Sequence, residues 1–197
     1  MTKTTSEKIM DKLVTLDEAQ TDMCEGYAFG SLGSATSGFM WLISALVSYN
    51  FSPTQAIWTL LIGGVLISPV SSILEKIIGL KGHSVNNPLK NLAMESTIWM
   101  IMCIPLAYGL SIQNTEWFFQ AMLLIIGGRY LTFATLFGKK LYWILGASLG
   151  LSAYLLFQLK IQSFGSLLTG AIIEIIFGVL MYFIYRKFYS KMKNSSE

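Results

Sequence analysis

Polar and apolar positions along the chain come in blocks. Six apolar blocks of about 20 residues alternate with short polar breaks, and at 1.5 Å rise per residue each can cross a hydrocarbon layer as a helix. They run approximately over 27–49, 54–78, 92–112, 117–137, 141–159 and 164–185. The breaks hold turn formers: Asn50 to Pro53, Gly79 to Pro88, Gln113 to Glu116, Gly138 to Lys140 and Lys160 to Ser163. Short breaks force neighbouring helices to run antiparallel. The pattern therefore predicts an all-α integral membrane protein whose six transmembrane helices form three antiparallel hairpins. Composition sharpens this: of 197 residues, 53% are hydrophobic and 13% charged. A soluble domain carries about 25% charged residues.

Charge supplies direction. Of fourteen lysines and arginines, twelve flank one set of span ends: Lys3, Lys8, Lys12, Lys76, Lys81, Lys90, Lys139, Lys140, Arg186, Lys187, Lys191 and Lys193. The opposite side has only Lys160, and Arg129 falls inside a span. The positive-inside rule then places both termini in the cytoplasm. Residues 1–26 form a polar tail with no cleavable signal sequence, so the first span serves as the targeting signal. Within that tail Ile9, Leu13 and Leu16 recur at a spacing that suits an interfacial amphipathic helix and equally a solvated one. Residues 27–186 are the membrane domain, and residues 187–197 a basic cytoplasmic tail. Two cysteines, Cys24 and Cys103, make no disulfide framework.

Spans two and four share a layout. LLIGGVLI (60–67) and LLIIGGRYL (123–131) put Gly63-Gly64 and Gly127-Gly128 at similar depths, downstream of WLISALVSY (41–49) and WMIMCIPLAY (99–108). In the third hairpin Gly170 and Gly178 replace the pair. Hairpins repeated about an axis along the membrane normal would fit, and so would chance. Either way, mid-span glycine marks close helix contact. Span one opens with GYAFGSLGSATSG (26–38), which reads as a tight packing helix before it reads as the wall of a narrow path.

The run EWFFQAMLLIIGGRYLTFATLFGKKLYW (116–143) resembles a family of uncharacterised bacterial multi-pass membrane proteins, a domain of unknown function. GGVLISPVSSIL (63–74), NPLKNLAMEST (87–97) and PLAYGLS (105–111) resemble its other marked segments. The resemblance implies a six-span fold in the bacterial inner membrane and brings no assigned activity.

An ionisable residue at mid-bilayer costs roughly 2.5–3.5 kcal/mol on insertion scales and usually faces the bundle interior with a partner. Arg129 in span four, Glu174 in span six and Glu95 in span three are the candidates. Counted from the span ends, Glu174 lies level with Arg129 and Glu95 is shallower. Ser68-Pro69-Val70-Ser71-Ser72 lies at a comparable depth in span two and could complete a small polar pocket. Two functions fit these residues. Arg129 and its acids could lock the bundle as a structural ion pair, which confers specificity more reliably than stability. Alternatively, Arg129 could hold a carboxylate or phosphate of a small solute or a lipid headgroup, for binding or transport, while a glutamate exchanges a proton.

An intramembrane enzyme has less support. HExxH, GxSxG and Walker A patterns are absent. The one histidine, His83, sits in GLKGHSVNNP (79–88) without further ligands at metal spacing. Neither a metal nor another cofactor is expected, and that loop reads better as solvated or as a gate hinged on its two glycines. The basic, aromatic RKFYSKMK (186–193) follows a span directly, which suits contact with anionic lipid rather than nucleic acid. Membrane lipids and a small anionic ligand are the expected partners. The glycine stripes could also serve a homo-oligomer.

Overall fold

A computed structural model describes residues 15–195, with side chains through Ser190. Among these residues all regular structure is helical: α1 (Leu16–Gly26), α2 (Ser31–Asn50), α3 (Pro53–Ile77), α4 (Leu89–Gln113), α5 (Thr115–Phe137), α6 (Leu141–Gln158) and α7 (Ser163–Ser195). A 3-10 turn at Ala28–Gly30 joins α1 to α2. Among the described residues six helical stretches are long and apolar enough to cross a membrane: one from Leu16 to Asn50 that takes in α1 and α2, and one in each of α3 to α7.

Local chemistry sets the helix ends. The Thr15 hydroxyl accepts from the Glu18 backbone N–H, while the Glu18 carboxylate accepts from the Thr15 N–H at 2.9 Å. This capping box satisfies two orphan donors reciprocally. Ser52 caps α3 with Pro53 in its first turn, and Asn114 caps α5. The Asn87 side-chain oxygen accepts from the Leu89 N–H, 2.9 Å away, where α4 begins. Gly138 ends α5 in the left-handed conformation at φ 61°, where glycine carries no Cβ penalty.

The helices pack unequally. α2 lies along α7, α5 along α6, α3 against α2, and α4 against α5. α7 also touches α5 and α6. By contrast α3 and α4, though consecutive, do not pack along their length. Their aromatic rings meet at one end, Trp58 on Tyr108 with centroids 5.9 Å apart. The interior holds Trp41, Phe118, Phe119, Leu123, Tyr142, Leu145, Leu149 and Leu167, all fully buried.

Of the tail residues with amphipathic spacing, Ile9 and Leu13 lie outside the described residues, and Leu16 is exposed at the start of α1. α1 folds across one end of the bundle and buries Ala19, Met23 and Cys24. Its Gln20 amide donates to the Thr135 carbonyl at 2.6 Å, and the Cys24 thiol to the Phe137 carbonyl at 3.1 Å. The long helix α2 then starts at Ser31. Between α1 and α2 the chain turns through Ala28, Phe29 and Gly30, all at positive φ. Two of these are not glycine, a strained arrangement that needs support. Phe29 receives it: its carbonyl accepts from the buried Tyr142 hydroxyl at 2.7 Å, its ring packs edge-on to Tyr185, and the Lys139 ammonium lies 4.5 Å from that ring's centroid.

Candidate functional site

Arg129 lies on α5, eight residues before its end, which is about 12 Å along the axis. Gly127, two residues earlier, turns toward α6: a methyl there would stand 2.8 Å from the Gly146 carbonyl oxygen. Residues two apart on a helix point to nearly opposite sides, so Arg129 turns away from that seam and toward α4. One terminal nitrogen donates to the Thr97 hydroxyl at 3.2 Å. The other approaches the Met100 sulfur at 3.8 Å. The guanidinium carbon lies 5.1 Å from the centroid of the Phe133 ring, within cation–π range. The Thr97 hydroxyl in turn donates to the Ala93 carbonyl at 2.9 Å, which fixes it as an acceptor for the arginine. The Arg129 Nε is buried without a hydrogen-bond partner among the described residues.

Glu174 is fully buried on α7. The small residues of α2 allow this. The Ser34 hydroxyl donates to the Glu174 backbone carbonyl at 3.1 Å, and a methyl at Gly178 would stand 2.7 Å from the Ala35 backbone nitrogen. Ser37, Trp41 and Tyr130 are the donors that face its carboxyl group. Neither carboxyl oxygen makes a hydrogen bond among the described residues, and the Trp41 indole N–H is likewise unpartnered. Arg129 is the cation whose field reaches Glu174, but the two do not touch.

Glu95 takes no part in this arrangement. It is exposed on α4. Two residues from Thr97, it points to the opposite side of the helix when Thr97 meets Arg129. The three ionisable residues thus occupy three settings: a half-buried arginine facing α4, an enclosed carboxyl between α2, α5 and α7, and a surface glutamate. In the Ser68–Ser72 run, Ser68 and Ser72 are exposed, and the Ser71 hydroxyl donates to the Ser68 carbonyl at 3.1 Å.

The glycines divide within each pair. Gly63 is buried against Met40, and Gly127 crosses Gly146 backbone to backbone. Gly64 and Gly128 are exposed, with open space where a Cβ would stand. Gly170 packs on Trp41 and Leu123, and Gly178 on Ala35. Gly38, which meets Ile175 and Ala171, and Gly146 complete the close crossings.

The His83 loop is tied down. His83 Nδ1 lies 2.6 Å from the Tyr27 hydroxyl, and the Asp22 carboxylate accepts from the Ser84 N–H at 2.8 Å, the Ser84 hydroxyl at 2.7 Å and the Asn87 amide at 2.6 Å. Burial works against the charge on Asp22, but the Asn87 and Ser84 hydrogen bonds outweigh it and hold this carboxyl below its ordinary range. Among the described residues no three His, Cys, Asp or Glu side chains gather closely enough to hold a metal ion.

Sequence reasoning did not find Thr97, Ser37, Trp41 or Tyr130. Thr97 had a signal available, since it lies two residues past Glu95 in the helix that precedes Arg129. Ser37 and Trp41 could not be paired with Glu174 without knowing that α2 lies beside α7, nor Tyr130 without knowing that α5 also meets α7.

The fold and these buried polar groups define a multi-pass α-helical membrane protein that carries an arginine within a span. The chain belongs to the family of unknown function DUF7010, whose model matches residues 16–184. No curated protein and no solved structure matches the chain.

Proposed function

We propose that this membrane protein binds a small anionic group, a carboxylate or a phosphate, at Arg129. The observation that carries the reading is the arginine's set of partners: a hydroxyl, a thioether and a ring face, with no carboxylate among them. A guanidinium offers five donors in a planar fork suited to bidentate oxyanions, and these neutral contacts leave donors and charge to spare. A structural lock would instead join Arg129 to Glu174 or Glu95, contacts that the described side chains do not make.

The end that carries α1 and the lysine-rich turns is the cytoplasmic end in this reading, by the positive-inside rule, in the inner membrane of a bacterium. Arg129 then lies in the cytoplasmic half of the bilayer, reachable from that side. Glu174, enclosed in the neighbouring seam, is the proton-exchanging neighbour in this reading and makes no contact with the arginine.

The test is mass spectrometry of what co-purifies in mild uncharged detergent. An anionic species retained by the wild type and lost from Arg129→Gln, with both proteins equally folded, is the expected result. Identical retention by both proteins, or poor folding of the variant with nothing bound to the wild type, would return Arg129 to a structural role.

A further inference from the structure

The side of the molecule that Arg129 faces is open. On α3, Trp58, Ile62, Val65 and Ser72 follow one another at helical spacing on one stripe, and all are exposed. On α4, Tyr108, Ile101 and Thr97 form the matching stripe, with Ile101 exposed and Thr97 holding Arg129. The two stripes touch through Trp58 and Tyr108, and the helices do not pack along the rest of their length. They therefore bound a groove that is shut at one end by two aromatic rings and open sideways. At its other end each stripe finishes in a lysine, Lys76 eighteen residues after Trp58 and Lys90 eighteen residues before Tyr108. Both lysines are exposed.

We propose that this groove takes an anionic phospholipid, its phosphate held by the Arg129 guanidinium that Thr97 orients and one acyl chain laid along the walls toward Trp58 and Tyr108. This rests on the reading of Arg129 as an anion site and names the source of the anion. Chemistry changes along the groove as it does along a lipid. Cations stand at the mouth, and Arg129 with the Thr97 hydroxyl about 10 Å further in. Beyond them lie about 16 Å of apolar wall before the rings. Neither stripe contains an acid. A second copy of this chain meeting the groove about a two-fold axis would bring like charges together, whereas a phosphate diester neutralises them. A free solute would gain nothing from a groove open to acyl chains along its flank.

The test uses the full chain in uncharged detergent and follows its thermal unfolding midpoint. The probes are dioctanoyl phosphatidylglycerol, dioctanoyl phosphatidylcholine and inorganic phosphate. The phosphatidylglycerol is expected to raise the midpoint saturably, while the other two do so weakly or not at all. Arg129→Gln removes a charge-assisted contact and should weaken the apparent lipid affinity about tenfold. Val65→Trp fills the groove from an exposed position, so it should leave the lipid-free midpoint unchanged and weaken the lipid similarly. If inorganic phosphate stabilises the wild type and not Arg129→Gln, and Val65→Trp leaves the lipid response intact, the anion site stands and the lipid groove is overturned. An equal response to phosphatidylcholine also overturns the groove. A phosphatidylglycerol response that Arg129→Gln leaves unchanged overturns the anion reading and this proposal together.

Discussion

The α2–α7 seam and the α3–α4 side are made from similar apolar helices, yet one is closed to within backbone contact and the other is left apart. The seam closes because small residues let the backbones approach: Gly38 against Ala171 and Ile175, and Gly178 against Ala35. Without a hydrophobic force between helices in lipid, such fitting is what holds membrane helices together. α3 and α4 carry large exposed side chains and do not pack along their length, and the rings of Trp58 and Tyr108 meet at one end. The two ionisable residues divide accordingly, with Glu174 sealed in the seam and Arg129 turned toward the open side. Closure goes with an enclosed carboxyl, and openness with a half-buried cation that no carboxylate touches.

The largest effects should come from forcing the seam apart. Gly178→Leu puts a branched side chain where even a methyl would meet the Ala35 backbone, at a cost of about 3 kcal/mol. Gly127→Leu at the α5–α6 crossing should cost a similar amount. Gly64→Leu and Gly128→Leu, with open space at their Cβ positions, should leave stability near wild type. Reversible unfolding in mixed micelles measures all four, and equal losses across them would erase the distinction between closed and open faces.

Exchanging the charges tests whether the two regions are coupled as a pair. Arg129→Glu with Glu174→Arg should not recover the stability lost in either single variant, because the native residues do not touch. Recovery of more than about 1 kcal/mol, the scale of a formed contact, would restore the ion-pair lock. Glu95→Gln should be silent in the same assay, since Glu95 is exposed on α4.

Smaller effects belong to the end that α1 covers. Tyr142→Phe removes the hydrogen bond to the Phe29 carbonyl and should cost about 1 kcal/mol, read as faster hydrogen exchange around Tyr27–Gly30. Asp22→Asn should loosen α1 from residues 83–87 with little change in global stability. Because hydrogen bonds hold the Asp22 carboxyl below its ordinary value, its contribution is present above that value and is lost as pH falls through the lowered one. Exchange in α1 and in residues 83–87 should rise in acid for the wild type and stay flat for Asp22→Asn.

The six apolar helices were legible in the sequence because lipid imposes length and composition on each one separately. What depends on which helices touch was not. Gly127 and Gly128 are indistinguishable in the sequence, but one crosses Gly146 and the other faces open space. Depth made Glu174 level with Arg129, as their helix positions allow, yet depth carries no azimuth, and the arginine turns to Thr97. The α1–α2 corner was hidden for another reason: Ala28 and Phe29 do not announce positive φ, which Tyr142 supports from more than a hundred residues away.

The chain contains two arginines, Arg129 and Arg186, so selective 15N-arginine labelling gives two Nε–H signals in NMR, assigned with Arg186→Lys. The account predicts that dioctanoyl phosphatidylglycerol shifts the Arg129 signal saturably in the full chain and that Glu174→Gln leaves its lipid-free position nearly unchanged. A signal that ignores the lipid and moves on Glu174→Gln would contradict the central claim that Arg129 faces an external anion rather than a buried acid.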